Sequence, residues 1–122
     1  MLNIYRLQIH CGDNNIETIS NILELNKYKN IKWEHKIELD RSVFEFEVEE
    51  KENEKYFNYI DFFLNILEDK YDLLEKIGIN RNDITIWRLY RYNNQCNMEW
   101  NPKDLKRLGD SGISLCVSCW EE

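Results

Sequence analysis

The four cysteines are the residues of this chain whose type and spacing could most directly do chemistry. Cys116 and Cys119 have the three-residue separation of a metal-binding or redox pair, and Cys11 and Cys96 lie elsewhere. The pair falls within residues 113–120, whose alternating pattern predicts a strand, and strand residues three apart point to opposite faces. A zinc site would need the chain to turn there. The sequence therefore favours reduced thiols that pack as small apolar side chains, and we assign no metal ligand and no cofactor.

A histidine near a thiol could instead serve a small enzyme or a ligand-binding cleft. His10 precedes Cys11, and Cys96 lies in the C-terminal third of the chain. No nucleophile and base stand in a recognisable catalytic pattern, so we assign no catalytic residue. His35 lies among aromatic residues, where a packed histidine is the commoner case. An enzyme or small-ligand binder remains an alternative interpretation.

A set of charged and tyrosine side chains on the polar side of the predicted strands could bind a partner protein. The predicted partner-binding residues are Glu34, Glu45, Glu47, Arg88, Tyr90, Tyr92 and Glu99. Aromatic anchors supply contact area, and carboxylates steer a cationic partner. Arg6, Gln8 and His10 are expected on the same side. The alternative is that all of these are ordinary solvated strand residues.

The charge balance narrows the choice of partner. Sixteen basic and 23 acidic residues give a net charge of −7, which repels phosphate backbones and anionic membranes at long range. We therefore expect a basic protein partner, no direct binding of nucleic acid and no membrane association. No apolar run approaches the roughly 20 residues that span a bilayer. The first ten residues lack the features of a secretory signal, so a cytoplasmic location is expected.

The C-terminal third must position most of these residues, and its pattern predicts a hairpin. A two-residue loop at Asn93-Asn94 would set Trp87 opposite Trp100 and Arg88 opposite Glu99. Alternation would then place one apolar set beneath the helices, formed by Trp87, Leu89, Cys96, Met98 and Trp100. Arg88, Tyr90, Tyr92 and Glu99 would face the other way.

The N-terminal half predicts a strand, a short helix and another hairpin. Residues 3–11 alternate, with Tyr5, Leu7 and Ile9 on the apolar side, and an amphipathic helix follows from Ile16. Residues 31–39 and 44–48 then form a hairpin with its turn at Asp40-Arg41. The expected register sets Trp33 against Val48, His35 against Phe46, Ile37 against Phe44, Lys36 against Glu45 and Lys32 against Glu49.

Two further helices complete the predicted fold. A charge run over residues 49–54 opens a long helix whose apolar stripe continues from Tyr56 to Leu74 and stops at Gly78. A third helix starts at Pro102, buries Leu105 and Leu108 and ends at Gly109, before the final strand. The sequence thus predicts a single α+β domain over residues 1–122, in the order β-α-β-β-α-β-β-α-β. We expect a mainly antiparallel sheet with its helices on one face, and a ferredoxin-like arrangement of the first six elements.

Four runs of residues carry a resemblance to a known family. They are Trp87-Arg-Leu-Tyr, Gln95-Cys-Asn-Met-Glu-Trp-Asn-Pro, Leu105-Lys-Arg-Leu-Gly-Asp-Ser-Gly and Leu115-Cys-Val-Ser-Cys-Trp-Glu. Together they resemble the C-terminal signature of DUF4279, a family of small uncharacterised bacterial domains, whereas the rest of the chain is similar only in layout. Analogy with the short acidic immunity proteins of bacterial toxin systems implies an immunity or antitoxin-like protein that covers the active site of a basic toxin, for example a nuclease.

A nucleic-acid mimic that blocks a DNA-binding enzyme is a further alternative. It predicts carboxylates spaced like phosphates along one surface. The row formed by Glu45, Glu47 and Glu49 is too short to require it.

Overall fold

The chain folds into strands and helices in this computed structural model, which describes residues 2–12, 14, 16–28, 32–38, 41–50 and 57–121. For Leu2, residues 32–38 and Arg41 only the backbone is described. The strands are β1 (Leu2–His10), β2 (Lys32–Glu38), β3 (Arg41–Glu49), β4 (Ile84–Tyr92) and β5 (Ser114–Glu121). The α-helices are α1 (Ile16–Leu23), α2 (Tyr59–Leu67), α3 (Tyr71–Lys76) and α4 (Pro102–Ser111).

The five strands form one sheet in the order β2-β3-β1-β4-β5. β1 pairs antiparallel with both β3 and β4, and β2 pairs antiparallel with β3. β5 pairs with β4 in parallel, because α4 carries the chain back across the sheet before β5 begins. The protein is therefore α+β, as the sequence predicts, and its sheet is mixed.

One side of the sheet forms the hydrophobic core with the helices. Tyr5, Leu7 and Ile9 of β1 are fully buried, as predicted, and so are Phe44 and Phe46 of β3. The same cluster includes helix residues, among them Ile19, Ile60, Phe63, Leu64, Leu67, Leu74 and Leu108. Burial of each such side chain stabilises the fold by about 1.5–3 kcal/mol. The described helices therefore lie on one side of the sheet, and β1 is the central strand of the core.

The predicted hairpin of residues 87–100 is not formed. Its first half is β4, but residues 95–100 form no strand. Both edges of β4 are occupied, one by β1 and the other by β5, so no edge is free for a return strand. The predicted pairs of Trp87 with Trp100 and of Arg88 with Glu99 are therefore absent.

The two faces of β4 are the reverse of those predicted. Ile84 and Ile86 are buried opposite Ile9 and Leu7, so alternation places Arg88 on the helix side, opposite Tyr5. Trp87 consequently lies on the other side of the sheet. The prediction that it packs beneath the helices is wrong. The strand begins with the buried Ile84 and Ile86, and these determine which residues of β4 face the helices.

The N-terminal hairpin forms with its register shifted by two residues. Glu38 lies opposite Arg41, and residues 39–40 between them lie outside the described residues. The pairs are Trp33 with Phe46, His35 with Phe44, Ile37 with Ser42, Lys36 with Val43 and Lys32 with Glu47. A shift of two preserves the face of every residue. The predicted faces of this hairpin are therefore kept at the backbone level, whereas the predicted partners are wrong.

The predicted long helix is divided into α2 and α3, and its acidic start at residues 51–56 lies outside the described residues. Asp69 has a φ of 74°, which ends α2 and allows α3 to begin in a new direction. α4 continues past Gly109 to Ser111 and is closed by Gly112 in the left-handed conformation. Leu108 is buried as predicted, but Leu105 is 46% exposed, so its assignment to the core is wrong.

Candidate functional site

A connected row of polar side chains crosses the side of the sheet on which no described helix packs. Arg6 and Gln8 come from β1, Glu45 and Glu47 from the neighbouring β3, and Trp87 from β4. Arg6 Nε donates to Glu47 Oε1 at 2.6 Å, and Gln8 Nε2 donates to Glu45 Oε1 at 3.3 Å. Trp87 Nε1 donates to Gln8 Oε1 at 3.0 Å. We call these five residues the open-face row.

Glu45 is the most buried member of the open-face row. It is only 2% exposed, and Arg6 Nε lies 3.7 Å from its Oε2. A carboxylate withdrawn from water to this extent costs several kcal/mol unless cations and donors surround it. Arg6 and Gln8 supply part of that compensation. The row is therefore held in one arrangement rather than spread over many rotamers.

Large apolar side chains border the open-face row. Leu89 follows Trp87 on the same side of β4, and Trp120 of β5, which is 40% exposed, lies opposite Arg91. The surface thus combines charged groups with exposed aromatic area. Protein interfaces are enriched in this combination, with aromatic anchors at the centre and polar groups around them.

The predicted partner-binding residues are divided between two sides of the sheet. Glu45 and Glu47 belong to the open-face row, and Glu34 lies opposite Glu45 in the register. The others are Arg88, Tyr90 and Tyr92, on the helix side, and Glu99, in the segment after β4. The prediction of one shared surface is therefore wrong for these four. Trp87 was not among the predicted partner-binding residues, because it was assigned to the core as an apolar residue. The alternation of β4, counted from the buried Ile84, places it on the open side of the sheet.

A cavity of about 380 Å³ opens on the helix side, beyond the end of β4. Its lining residues are Arg88, Asn97, Met98, Glu99, Trp100, Asn101 and Asp104. Trp100 Nε1 donates to the hydroxyl of the buried Tyr59 at 2.8 Å, which fastens this segment to α2. The helix start predicted at Asn101-Pro102 is confirmed, since Asn101 Oδ1 accepts from the backbone nitrogen of Asp104 at 2.8 Å.

Arg88 forms the sheet side of this cavity and is 8% exposed. Its Nε donates to Asn3 Oδ1 at 3.4 Å, and its guanidinium lies 4.9 Å from the ring centre of Tyr90 and 5.8 Å from that of Tyr5. The Tyr5 hydroxyl donates to Glu50. Burial, together with this hydrogen bond to Glu50 and its negative charge, raises the pKa of Tyr5 far above its usual value.

The two cysteines of the enzyme interpretation, Cys11 and Cys96, do not converge. Cys11 follows β1, close to where β4 starts, whereas Cys96 follows the opposite end of β4. Cys11 is buried, and burial raises the pKa of its thiol, which lowers its nucleophilicity. Burial and the neighbouring Cys119 raise the pKa of Cys96. All four cysteines are free thiols, and Cys116 and Cys119 occupy one continuous strand, as predicted. Only Cys11 is buried and Cys119 is exposed, so the prediction that the thiols pack as buried apolar side chains is wrong for Cys119.

Two further features are absent from the described residues. No group of three or more histidine, cysteine or acidic residues is arranged to hold a metal ion, and no helix has the length and apolarity needed to cross a membrane. Comparison with protein-family models returns no matching family, and comparison with curated proteins and solved structures returns no similar protein.

Proposed function

We propose that this protein is an immunity or antitoxin-like binding protein that neutralises a basic protein partner by covering its active site with the open face of the sheet. The observation that carries the proposal is the open-face row, an ordered set of charged side chains beside exposed aromatic area. Ordered side chains lose less conformational entropy on binding than free ones, so such a row is well suited to recognition.

The charges support a cationic partner. The whole chain has a net charge of −7, which accelerates encounters with a basic surface. At the contact itself, the partly exposed Glu47 supplies a carboxylate and Trp87 supplies a large, partly exposed side chain, while the buried Glu45 helps to hold Arg6 and Gln8 in place. A toxin that acts on nucleic acid has a basic active site, and a nuclease toxin is therefore the partner we favour.

Three finer assignments accompany this proposal. The order β2-β3-β1-β4 with antiparallel pairing throughout supports a ferredoxin-like arrangement of the first four strands. Membership of the DUF4279 family is proposed from the C-terminal sequence runs. A cytoplasmic location is proposed because an immunity protein must meet its toxin inside the cell that it protects.

The nucleic-acid mimic is less well supported. Arg6 lies within 3.7 Å of Glu45 and 2.6 Å of Glu47, so a cation interrupts the carboxylate row. A phosphate backbone has no such interruption.

Protection of cells tests the proposal. The protein is co-expressed with the product of the gene immediately upstream of its own, and growth is compared with that of cells expressing that product alone. Protection by the wild type, lost in Glu47→Lys and kept in Asp72→Lys, supports the proposal. Asp72 is an exposed residue of α3, so its substitution makes the same change of charge on the helix layer. Failure of the wild type to protect would contradict the immunity assignment.

A further inference from the structure

The Arg88 guanidinium is buried to an unusual degree for a charge with neutral partners. Its described contacts are the amide oxygen of Asn3 and the faces of Tyr5 and Tyr90. Cation–π contacts and one long hydrogen bond repay only part of the cost of removing an arginine from water. Arg88 lines the cavity, and its guanidinium carries five N–H donors, of which the described hydrogen bond to Asn3 uses only the one on Nε.

Other arginines of the described structure differ in this respect. Arg6, Arg81 and Arg107 each lie within 4.0 Å of a carboxylate. Arg88 forms no ion pair with any carboxylate of the residues that the structure describes. A planar guanidinium binds a carboxylate through two parallel hydrogen bonds, and this is its strongest mode of recognition. The Arg88 guanidinium could therefore bind a carboxylate, and no described residue provides one.

The cavity also contains negative charge. Glu99 and Asp104 line it, and Asp104 is held in place by Asn58 and Asn101, whose Nδ2 atoms each donate to its Oδ2 at 2.9 Å. These two carboxylates would repel a simple anion such as phosphate. A ligand that carries an ammonium group beside its carboxylate would be attracted by both kinds of charge.

Two other lining residues, Met98 and Trp100, offer apolar surface, whereas Asn97 and Asn101 are polar. Met98 and Trp100 are half-buried in the cavity, and Trp100 is fixed by its bond to Tyr59. Small-molecule sites combine such surfaces with a few placed polar groups and occupy about 300–1,000 Å³. A volume of about 380 Å³ is at the small end of this range.

We propose that this cavity binds a small zwitterion of amino-acid size, with its carboxylate on Arg88, its ammonium group toward Glu99 and Asp104, and an apolar side chain against Met98 and Trp100. The site lies on the helix side of the sheet, opposite the open-face row. It is therefore independent of the proposed partner surface, and either proposal can fail without the other.

Calorimetric titration of the purified full chain tests this site. The probes are phenylalanine, methionine and leucine, with 2-phenylethylamine and 3-phenylpropionate as analogues of phenylalanine that each lack one charge, and inorganic phosphate as the simple anion. At least one amino acid should bind with a Kd of about 1 mM or tighter. Each single-charge analogue and phosphate should bind at least about tenfold more weakly, because each loses one charge-assisted contact.

Variants assign the binding to the cavity. Arg88→Gln should weaken binding of the amino acid at least about tenfold, and Arg88→Lys should weaken it as well because it lacks the planar fork. If Arg88→Gln does not fold, Met98→Trp keeps Arg88 and fills the cavity, and it should abolish binding. The matched control is Leu105→Trp, since Leu105 is exposed on α4 and does not line the cavity.

Three results would overturn the proposal. One is that none of the three amino acids binds at about 10 mM, ten times a millimolar Kd. Another is that phosphate or 3-phenylpropionate binds as tightly as phenylalanine. The third is that the Met98→Trp protein binds as the wild type does.

Discussion

Trp87 Nε1 donates a hydrogen bond to Gln8 Oε1 at 3.0 Å, on the side of the sheet opposite the helices. The bond joins two neighbouring strands, β4 and β1, and connects the indole to the charged residues of the open-face row. A tryptophan on this side supplies accessible aromatic area, whereas a tryptophan in the core would not. This contact therefore links the orientation of β4 to the proposed binding function.

Trp87 and Trp100, which were predicted to pair in a hairpin that is not formed, should differ in their contribution to stability. Trp100→Phe removes a 2.8 Å bond to the buried Tyr59 hydroxyl, whereas Trp87→Phe removes a bond to a half-buried amide that water can solvate. We expect Trp100→Phe to lower the free energy of unfolding by about 1–2 kcal/mol and Trp87→Phe by less than about 1 kcal/mol. Urea denaturation measures both. Equal losses would argue against the assigned faces of β4.

Arg6 should be coupled to Glu45. Arg6→Met removes the cation that lies 3.7 Å from the buried Glu45 carboxylate, so the free energy of unfolding should fall by about 1–3 kcal/mol. Adding Glu45→Gln to this variant should cost less than the same substitution costs in the wild type, with a coupling of about 1 kcal/mol. A double-mutant cycle in urea gives this number. Strict additivity would contradict the interaction.

The contacts of Arg107 should stabilise the packing of α4 against α2. Its guanidinium bonds Asp61 and Glu68, and its Nη2 donates to Asn65 Oδ1 at 3.0 Å. Because the acidic partners are nearly half exposed, solvent screening reduces the effect, and Arg107→Ala should lower the free energy of unfolding by only about 1 kcal/mol. Lys106→Ala is the control. It removes a fully exposed pair with Asp110 and should leave stability nearly unchanged.

Tyr5 should make the fold sensitive to alkali. Burial and Glu50 raise the pKa of Tyr5 above its ordinary 10.0, so the folded protein holds this proton more tightly than the unfolded chain does. The resulting stabilisation is fully present below pH 10 and is lost as the pH rises from there toward the raised pKa. The buried Tyr71, whose pKa is also raised, contributes in the same direction.

Tyr5→Phe separates this effect from other alkaline titrations. The variant should lose about 1 kcal/mol at pH 7, because it lacks the hydrogen bond to Glu50. Above pH 10 its free energy of unfolding should decline less steeply than that of the wild type. Urea denaturation over this pH range compares the two slopes, and identical slopes would show that Tyr5 does not cause the loss.

Local sequence patterns correctly predicted the elements in which apolar residues recur on a single face. The core side of β1, the faces of the N-terminal hairpin and the start of α4 follow from such patterns. The register of that hairpin could not be chosen, because a shift of two residues leaves every face unchanged.

The C-terminal errors come from partners distant in sequence. Asn93-Asn94 has the chemistry of a hairpin loop, and Asn94 does adopt a positive φ of 67°. The hairpin fails because β1 and β5 take both edges of β4, which no local pattern records. Because the two faces of β4 are exchanged relative to the prediction, Arg88 lies on the helix side of the sheet. There it lines a cavity and is not part of the predicted binding surface.

Direct binding to the partner tests the central claim that the open-face row is the recognition surface. The measurement is the Kd for the purified product of the gene immediately upstream. It is made with the wild type, Glu47→Lys and the charge-matched Asp72→Lys, each first shown to be folded by circular dichroism. We predict that Glu47→Lys weakens binding by at least about tenfold, or 1.4 kcal/mol, while Asp72→Lys stays within about threefold of the wild type. Equal effects of the two substitutions would contradict the claim.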